Sequence, residues 1–198
     1  MNIKTLVLGD YGTNCYILWA DGSSKCLVID PGYEPNRVLD EVRALGLSIE
    51  AILLTHGHFD HVGGVRQLAA DADCQVFLNP ADTAMPPMMT AGPLFYTDSY
   101  HGGEELELAG LKIGVMSTPG HTPGSVCLLC GQHLICGDTL FAGSCGRTDL
   151  PGGNAPALRK SFSLLNSLAG NYFVHPGHGP GSTLTEEKAC NPYLRGLL

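Results

Sequence analysis

Basic side chains are scarce in this sequence: 11 Lys and Arg stand against 19 Asp and Glu in 198 residues, a formal net charge of −8. DNA and RNA are held through clustered Lys and Arg, so a nucleic-acid partner is not expected. The same acidity argues against docking on anionic lipid. Long apolar runs are also missing. None approaches the roughly 20 residues that cross a bilayer, so no membrane partner is expected either. The opening MNIKTLVLGDYGTN lacks the apolar core and small-residue cleavage site of a signal peptide, which makes the cytoplasm the expected location. Repeats, low-complexity tracts and long linkers are absent. A chain of this length with 44% hydrophobic residues suits one domain over 1–198.

A disulfide framework is not expected in a cytosolic protein of this size. The eight Cys sit largely inside apolar runs such as SVCLLC and HLICGD, where a free thiol behaves as a small hydrophobe. Cys127 and Cys130 have CxxC spacing, but no second pair completes a zinc knuckle and the segment reads as a strand.

What is present is a run of short apolar segments punctuated by turn residues. IKTLVL, CYILWA and KCLVID, separated by Gly12, Asp21-Gly22 and Pro31-Gly32, predict successive antiparallel strands. Residues 35–45 carry Val38, Leu39, Val42 and Leu45 at helical spacing, with Pro35 at the first turn and Gly46 at the stop. AILLT predicts a buried strand, 62–70 a helix, and CQVFLN another strand. Segment 84–103 has no clean period and is expected to be a long surface loop able to cover a pocket. In the second half, LELAGLKIGVMSTPG predicts two strands around Gly110, SVCLLC and HLICGD a hairpin around Gly131-Gln132, and 155–168 a helix. NYFVHPGHG predicts a strand and TEEKACN a last short helix. Strands then helices, twice over, fit two packed sheets with helices outside, an α+β architecture.

Three of the eight His fall within positions 56–61, beside Asp60, just after the strand AILLT. In extended chain, residues two apart point the same way, so His56 and His58 can share one metal while Asp60 and His61 face a second. Imidazole and carboxylate suit borderline cations such as zinc. Further candidates stand where apolar strands run out into Gly-rich sequence: His121 in STPGHTPGS, Asp138 in ICGDTLF and His178 in HPGHGPG. His101, His133 and His175 lack that setting or flanking pattern and are read as structural.

Thr55-His56-Gly57-His58-Phe59-Asp60-His61, followed in order by TPGHTPGS, GDTLFAGSCGRTDLPGG and PGHGP, resembles the signature of the metallo-β-lactamase superfamily. The resemblance covers essentially the whole chain and is nearest to the short glyoxalase II-like (hydroxyacylglutathione hydrolase-like) group. It implies a four-layer αββα sandwich with metals at one edge of the sheets. It assigns His56, His58 and His121 to a first metal, Asp60, His61 and His178 to a second, and Asp138 to both. The implied cofactor is two divalent ions per chain, zinc first, with iron or manganese as alternatives. Asp30 and Thr55 are expected to orient a ligand His rather than bind metal.

The implied activity is hydrolysis of a small-molecule thioester, such as S-lactoylglutathione or another acyl-thiol, by a metal-bridging hydroxide. Asp138 would hold both metals at the reacting centre, and Asp60 could shuttle a proton. Arg147 could meet a substrate carboxylate through a bidentate contact, or pair internally with Asp149. Phe141 and Cys145 are expected to shape the pocket. The larger glyoxalase II enzymes add a C-terminal helical substrate domain, which this chain is expected to lack, and Thr148-Asp149 stands where they carry an aromatic residue. The alternatives are a persulfide dioxygenase with a single iron and a hydrolase of another ester class. A non-catalytic metal protein is disfavoured because structural zinc sites are usually closed, four-coordinate and Cys-rich.

Overall fold

A computed structural model describes residues 1–196. The first half opens with an antiparallel meander of β1 (Asn2–Leu8), β2 (Thr13–Trp19) and β3 (Lys25–Ile29). Helix α1 (Pro35–Ala44) then carries the chain across to β4 (Ser48–Leu53), which lies parallel to β3. Two helical pieces follow, α2 (Phe59–Val62) and α3 (Val65–Ala72), then β5 (Gln75–Leu78). After α4 (Pro87–Thr90), the short β6 (Asp98–Ser99) closes a six-stranded sheet in the order β1-β2-β3-β4-β5-β6.

The second half builds a matching sheet. It starts with the antiparallel strands β7 (Glu105–Leu108), β8 (Leu111–Ser117), β9 (Val126–Cys130) and β10 (His133–Gly137). A small hairpin, β11 (Leu140–Phe141) and β12 (Ser144–Cys145), precedes α5 (Ala155–Ser167). Strand β13 (Phe173–Pro176) returns parallel to β10, and β14 (Ser182–Thr183) leads into α6 (Leu184–Cys190). The order is β14-β13-β10-β9-β8-β7.

Side-chain alternation explains why the strands read as unbroken apolar runs. On β2, Tyr16 and Leu18 face the second sheet and pack with Leu27, Leu53, Ile113, Val115, Leu128 and Ile135. Cys15 and Ile17 face the other way, against Val38 and Val42 of α1 and Val65 and Leu68 of α3. The second sheet repeats the plan, with Cys127, Leu134, Cys136 and Val174 under Leu158, Phe162 and Leu165 of α5. Both faces of both sheets are covered, so the layers run helix, sheet, sheet, helix, as the resemblance implied. Among the described residues, no helix is long and apolar enough to cross a membrane.

Two expectations are corrected. The helix expected over 62–70 is split: Gly63 and Gly64 interrupt it, α2 takes Asp60 and His61, and α3 begins at Val65. Segment 84–103 is not a surface loop throughout. Met85, Met89, Thr90 and Tyr100 are buried, and it contains α4 and β6. Its pieces are too short to show a period, so their burial comes from contacts with the rest of the chain.

Candidate metal centre

Five strand ends open at one edge of the sandwich. β3 ends at Asp30, β4 runs into Thr55–His61, β8 into His121, β10 into Asp138 and β13 into His178. Backbone bonds hold these ends in register: Val126 N–H to Thr55 O across the two sheets (2.9 Å), Gly177 N–H to Gly137 O (2.8 Å) and Asn14 N–H to Gly177 O (2.7 Å). Gly177 is required by close approach, since a Cβ there would collide with the Asp138 carboxylate and the His61 ring.

All seven expected ligands converge. His56, His58 and His121 bring ring nitrogens within 4.8 Å of one another, as do donor atoms of Asp60, His61 and His178. His58 Nδ1 lies 2.8 Å from His121 Nε2, and His61 Nε2 lies 3.3 Å from His178 Nε2. Asp138 spans the two groups: its Oδ1 is 3.4 Å from His61 Nε2, and its Oδ2 is 3.4 Å from His121 Nε2 and 3.6 Å from His178 Nε2. Asp60 Oδ2 stands 3.1 Å from His178 Nε2 and 3.6 Å from His61 Nε2. Donors at about 2.0–2.1 Å from a tetrahedral ion are roughly 3.3 Å from each other, so most of these separations match the edges of a coordination shell.

Three buried atoms of these residues, His56 Nε2, His58 Nε2 and Asp138 Oδ1, lack a hydrogen-bond partner, and two of them sharpen the fit. Orphaned polar atoms in an interior are costly, and at His56 Nε2 and Asp138 Oδ1 a cation would relieve that cost. His58 uses Nδ1 toward His121, so its unpartnered Nε2 points elsewhere, and nothing in the surroundings accounts for it.

The far ring nitrogens are anchored by the chain. His61 Nδ1 meets Asp30 Oδ2 at 2.9 Å, His121 Nδ1 meets the Arg147 carbonyl at 2.8 Å, and His178 Nδ1 meets the Tyr11 carbonyl at 3.1 Å. With each Nδ1–H donating, Nε2 is the ring atom left to face a cation. Asp30 also accepts from the Thr55 N–H (2.8 Å) and hydroxyl (2.6 Å), and the Thr55 oxygen lies 3.1 Å from His56 Nδ1.

Protonation differs between the two groups. Burial, reinforced by neighbouring imidazoles, pushes His56 well below the usual His range and His58 to about 4. Those rings are neutral and able to donate to a metal. Burial opposes a charge on His61 and His178 as well, but there carboxylates prevail. Asp138 and Asp30 hold His61 well above the usual range, and Asp60 raises His178. Against the same burial, the paired His lower Asp60 and Asp138. Protons thus stand in the second group where a cation would stand, and metal binding would release them.

The expected pocket residues are placed less evenly. Phe141 lies edge-on to His178, with centroids 6.2 Å apart. Cys145 is half-buried, and burial pushes its thiol up to about 11, unsuited to a nucleophile. It lines a cavity of about 330 Å³ with Arg147, Arg159, Phe162 and Tyr193. The Arg147 fork is closed on Asp149 through two 2.7 Å bonds, so its backbone carbonyl, not its charge, touches the centre. Of segment 84–103, Leu94 and Met85 pack on Gly57, between His56 and His58. His133 and His175 pair with each other at 2.9 Å, away from the seven.

Sequence reasoning missed the main-chain anchors at Tyr11 and Arg147. It also missed Thr13, whose hydroxyl donates to Asp60 Oδ2 (3.2 Å), and the buried Asp82. Main-chain acceptors leave no residue-type signal. Thr13 was open to detection only as a polar residue at the start of an apolar strand.

A family model described as the metallo-beta-lactamase superfamily matches residues 8–178. The chain is 32% identical to the hydroxyacylglutathione hydrolase GloC of Haemophilus influenzae over 209 residues, covering 98% of each. Among solved structures, it resembles TTHA1623 in a di-iron-bound form, with TM-score 0.84, 38% identity and coverage of 96% of this chain and 99% of that one. It also resembles the B3 metallo-beta-lactamase BLEG-1, with TM-score 0.88, 32% identity and coverage of 98% and 99%.

Proposed function

The chain belongs to the metallo-beta-lactamase superfamily, a family of metallo-hydrolases, and we propose that it is a binuclear thioester hydrolase of the hydroxyacylglutathione hydrolase kind. The observation that carries this reading is Asp138, whose two oxygens reach toward both donor groups. In this reading His56, His58 and His121 hold one divalent ion, Asp60, His61 and His178 hold the other, and Asp138 is shared. Zinc suits the donor set, and the di-iron form of TTHA1623 makes iron the first alternative. Such a pair, when bound, supplies an activated water at neutral pH and a Lewis acid for a carbonyl.

The chain's own groups do the rest. Asp30, Arg147 O and Tyr11 O fix the imidazole orientations, so that little reorganisation is needed when charge develops. In this reading Asp60, whose Oδ2 accepts from the Thr13 hydroxyl, shuttles a proton from water while also serving as a ligand. A thiolate leaves from a parent thiol of pKa about 8.5 without a strong general acid, which suits a site of imidazoles and carboxylates. Phe141 stands beside His178, the most exposed of the seven, and so at the entrance. Arg147 can turn from Asp149 to a substrate carboxylate, exchanging one bidentate pair for another. A small acyl-thiol is the substrate in this reading, met in the cytoplasm.

The test is to assay purified protein against a panel of thioesters, with metal content measured on the same sample. Thioester turnover with two divalent ions per chain is expected. Inertness toward the whole panel would overturn the reading. So would a single iron per chain with oxygen uptake on glutathione persulfide.

A further inference from the structure

Asp82 belongs to none of the ligand motifs. It sits on a short 3-10 turn, Pro80–Ala84, and is closed to solvent. Its carboxylate accepts three hydrogen bonds: from Gly57 N–H to Oδ2 at 2.7 Å, from the Thr122 hydroxyl to Oδ2 at 2.9 Å, and from Gly124 N–H to Oδ1 at 2.6 Å. Gly57 separates His56 from His58, and Thr122 follows His121. One side chain therefore ties the loop bearing two imidazoles of the first group to the loop bearing the third.

The packing admits little slack. A Cβ on Gly57 would lie 3.1 Å from the Asp82 Cβ, and one on Gly124 would lie 2.8 Å from its Cγ. The turn is itself fixed, because the Asn79 side chain caps it by accepting from Ala81 N–H at 3.1 Å. Burying a carboxylate is expensive, and a neutral acceptor could satisfy three donors at less cost. Each of the three donors comes from a loop of the first group.

We propose that Asp82 is a positioning residue that sets the spacing of His56, His58 and His121, and through it the affinity and geometry of the first metal. This rests on the assignment of that trio to a metal in the proposed function. Asp82 touches neither substrate nor ion. Loss of one acceptor oxygen frees a donor in one loop or the other, and His58 and His121 then drift relative to each other.

Cobalt(II) is the probe, because its absorption bands report coordination geometry and its uptake can be titrated against a chelator. Asp82→Asn keeps the shape but presents an amide N–H₂ to at least one of the three donors. Gly124→Ala keeps the charge and pushes the carboxylate from the other side. In each folded variant, the first cobalt should bind about 10–100-fold more weakly with altered bands, while the second is unchanged. Should Asp82→Asn fail to fold, Gly124→Ala carries the test alone. A folded variant with wild-type affinity and spectrum at both positions overturns the inference. Wild-type protein that takes up no cobalt overturns the metal reading, and this inference with it.

Discussion

His61 Nδ1 lies 2.9 Å from Asp30 Oδ2, with both side chains shut away from water. Asp30 holds this position with φ at 50°, in the left-handed region that non-glycine residues seldom occupy. The surroundings compensate through three bonds to one carboxylate: the His61 ring, the Thr55 amide and the Thr55 hydroxyl. Asp30→Ala leaves buried donors without an acceptor. In the presence of chelator it should lower stability by about 2–4 kcal/mol, read from urea unfolding. Metal content should fall as well. Unchanged unfolding would mean that His61 is oriented by something else.

His58 provides the most direct test of the centre. Its neutral ring, with pKa near 4, faces His121. His58→Ala should remove one metal and cut kcat/KM about a thousandfold or more, the several kcal/mol expected of a lost Lewis acid. Circular dichroism should show the fold retained. Turnover near wild type would exclude His58 from the centre.

Arg147 and Asp149 give a reciprocal pair of predictions. If the guanidinium exchanges Asp149 for a substrate carboxylate, Arg147→Ala should raise KM for a carboxylate-bearing thioester and leave a neutral one alone. Asp149→Asn, which frees the fork, should lower KM for the same substrate. Steady-state kinetics on both substrates decides the matter. Equal effects on the two would leave only the internal pair.

His175 predicts an acid weakness separate from the metals. Burial holds its folded pKa down to about 4, in a pair with His133 2.9 Å away. The unfolded side chain titrates near its ordinary value of about 6.5, so below that pH the unfolded state binds a proton that the folded state refuses. The stability that the neutral ring brings is complete above about pH 6.5 and is lost as pH falls toward 4. In chelator, His175→Phe should flatten the stability profile over that window relative to wild type. Parallel profiles for the two proteins would contradict it.

The legible part of the candidate centre was which seven side chains meet at one edge of the sandwich. A run of three His and one Asp in six positions is hard to produce by packing alone, and His121, Asp138 and His178 each follow an apolar strand into glycine. The strands and the helix 35–45 were legible from periodicity, and α1 ends within one residue of the expected bound. The rest was hidden because its cause is not local. Asp82 acts on backbone N–H groups 25 and 42 residues away, which any sequence supplies. Met85, Met89 and Tyr100 are buried by tertiary contacts that leave no repeat in their own neighbourhood. The split of the expected 62–70 helix turns on Gly63 and Gly64. Gly63 makes room for the Tyr33 ring, and Gly64 lies against Pro35 and the Gly32 carbonyl.

The donors come from both sheets, four before residue 62 and three after residue 120. A ribosome must therefore deliver residue 178 before the last imidazole exists. Until then the first loop presents Asp60 and His61 with no partner from β13. The second trio is therefore the last to be completed as the chain is made, whereas His56, His58, His121 and Asp138 are all in place once residue 138 has been added.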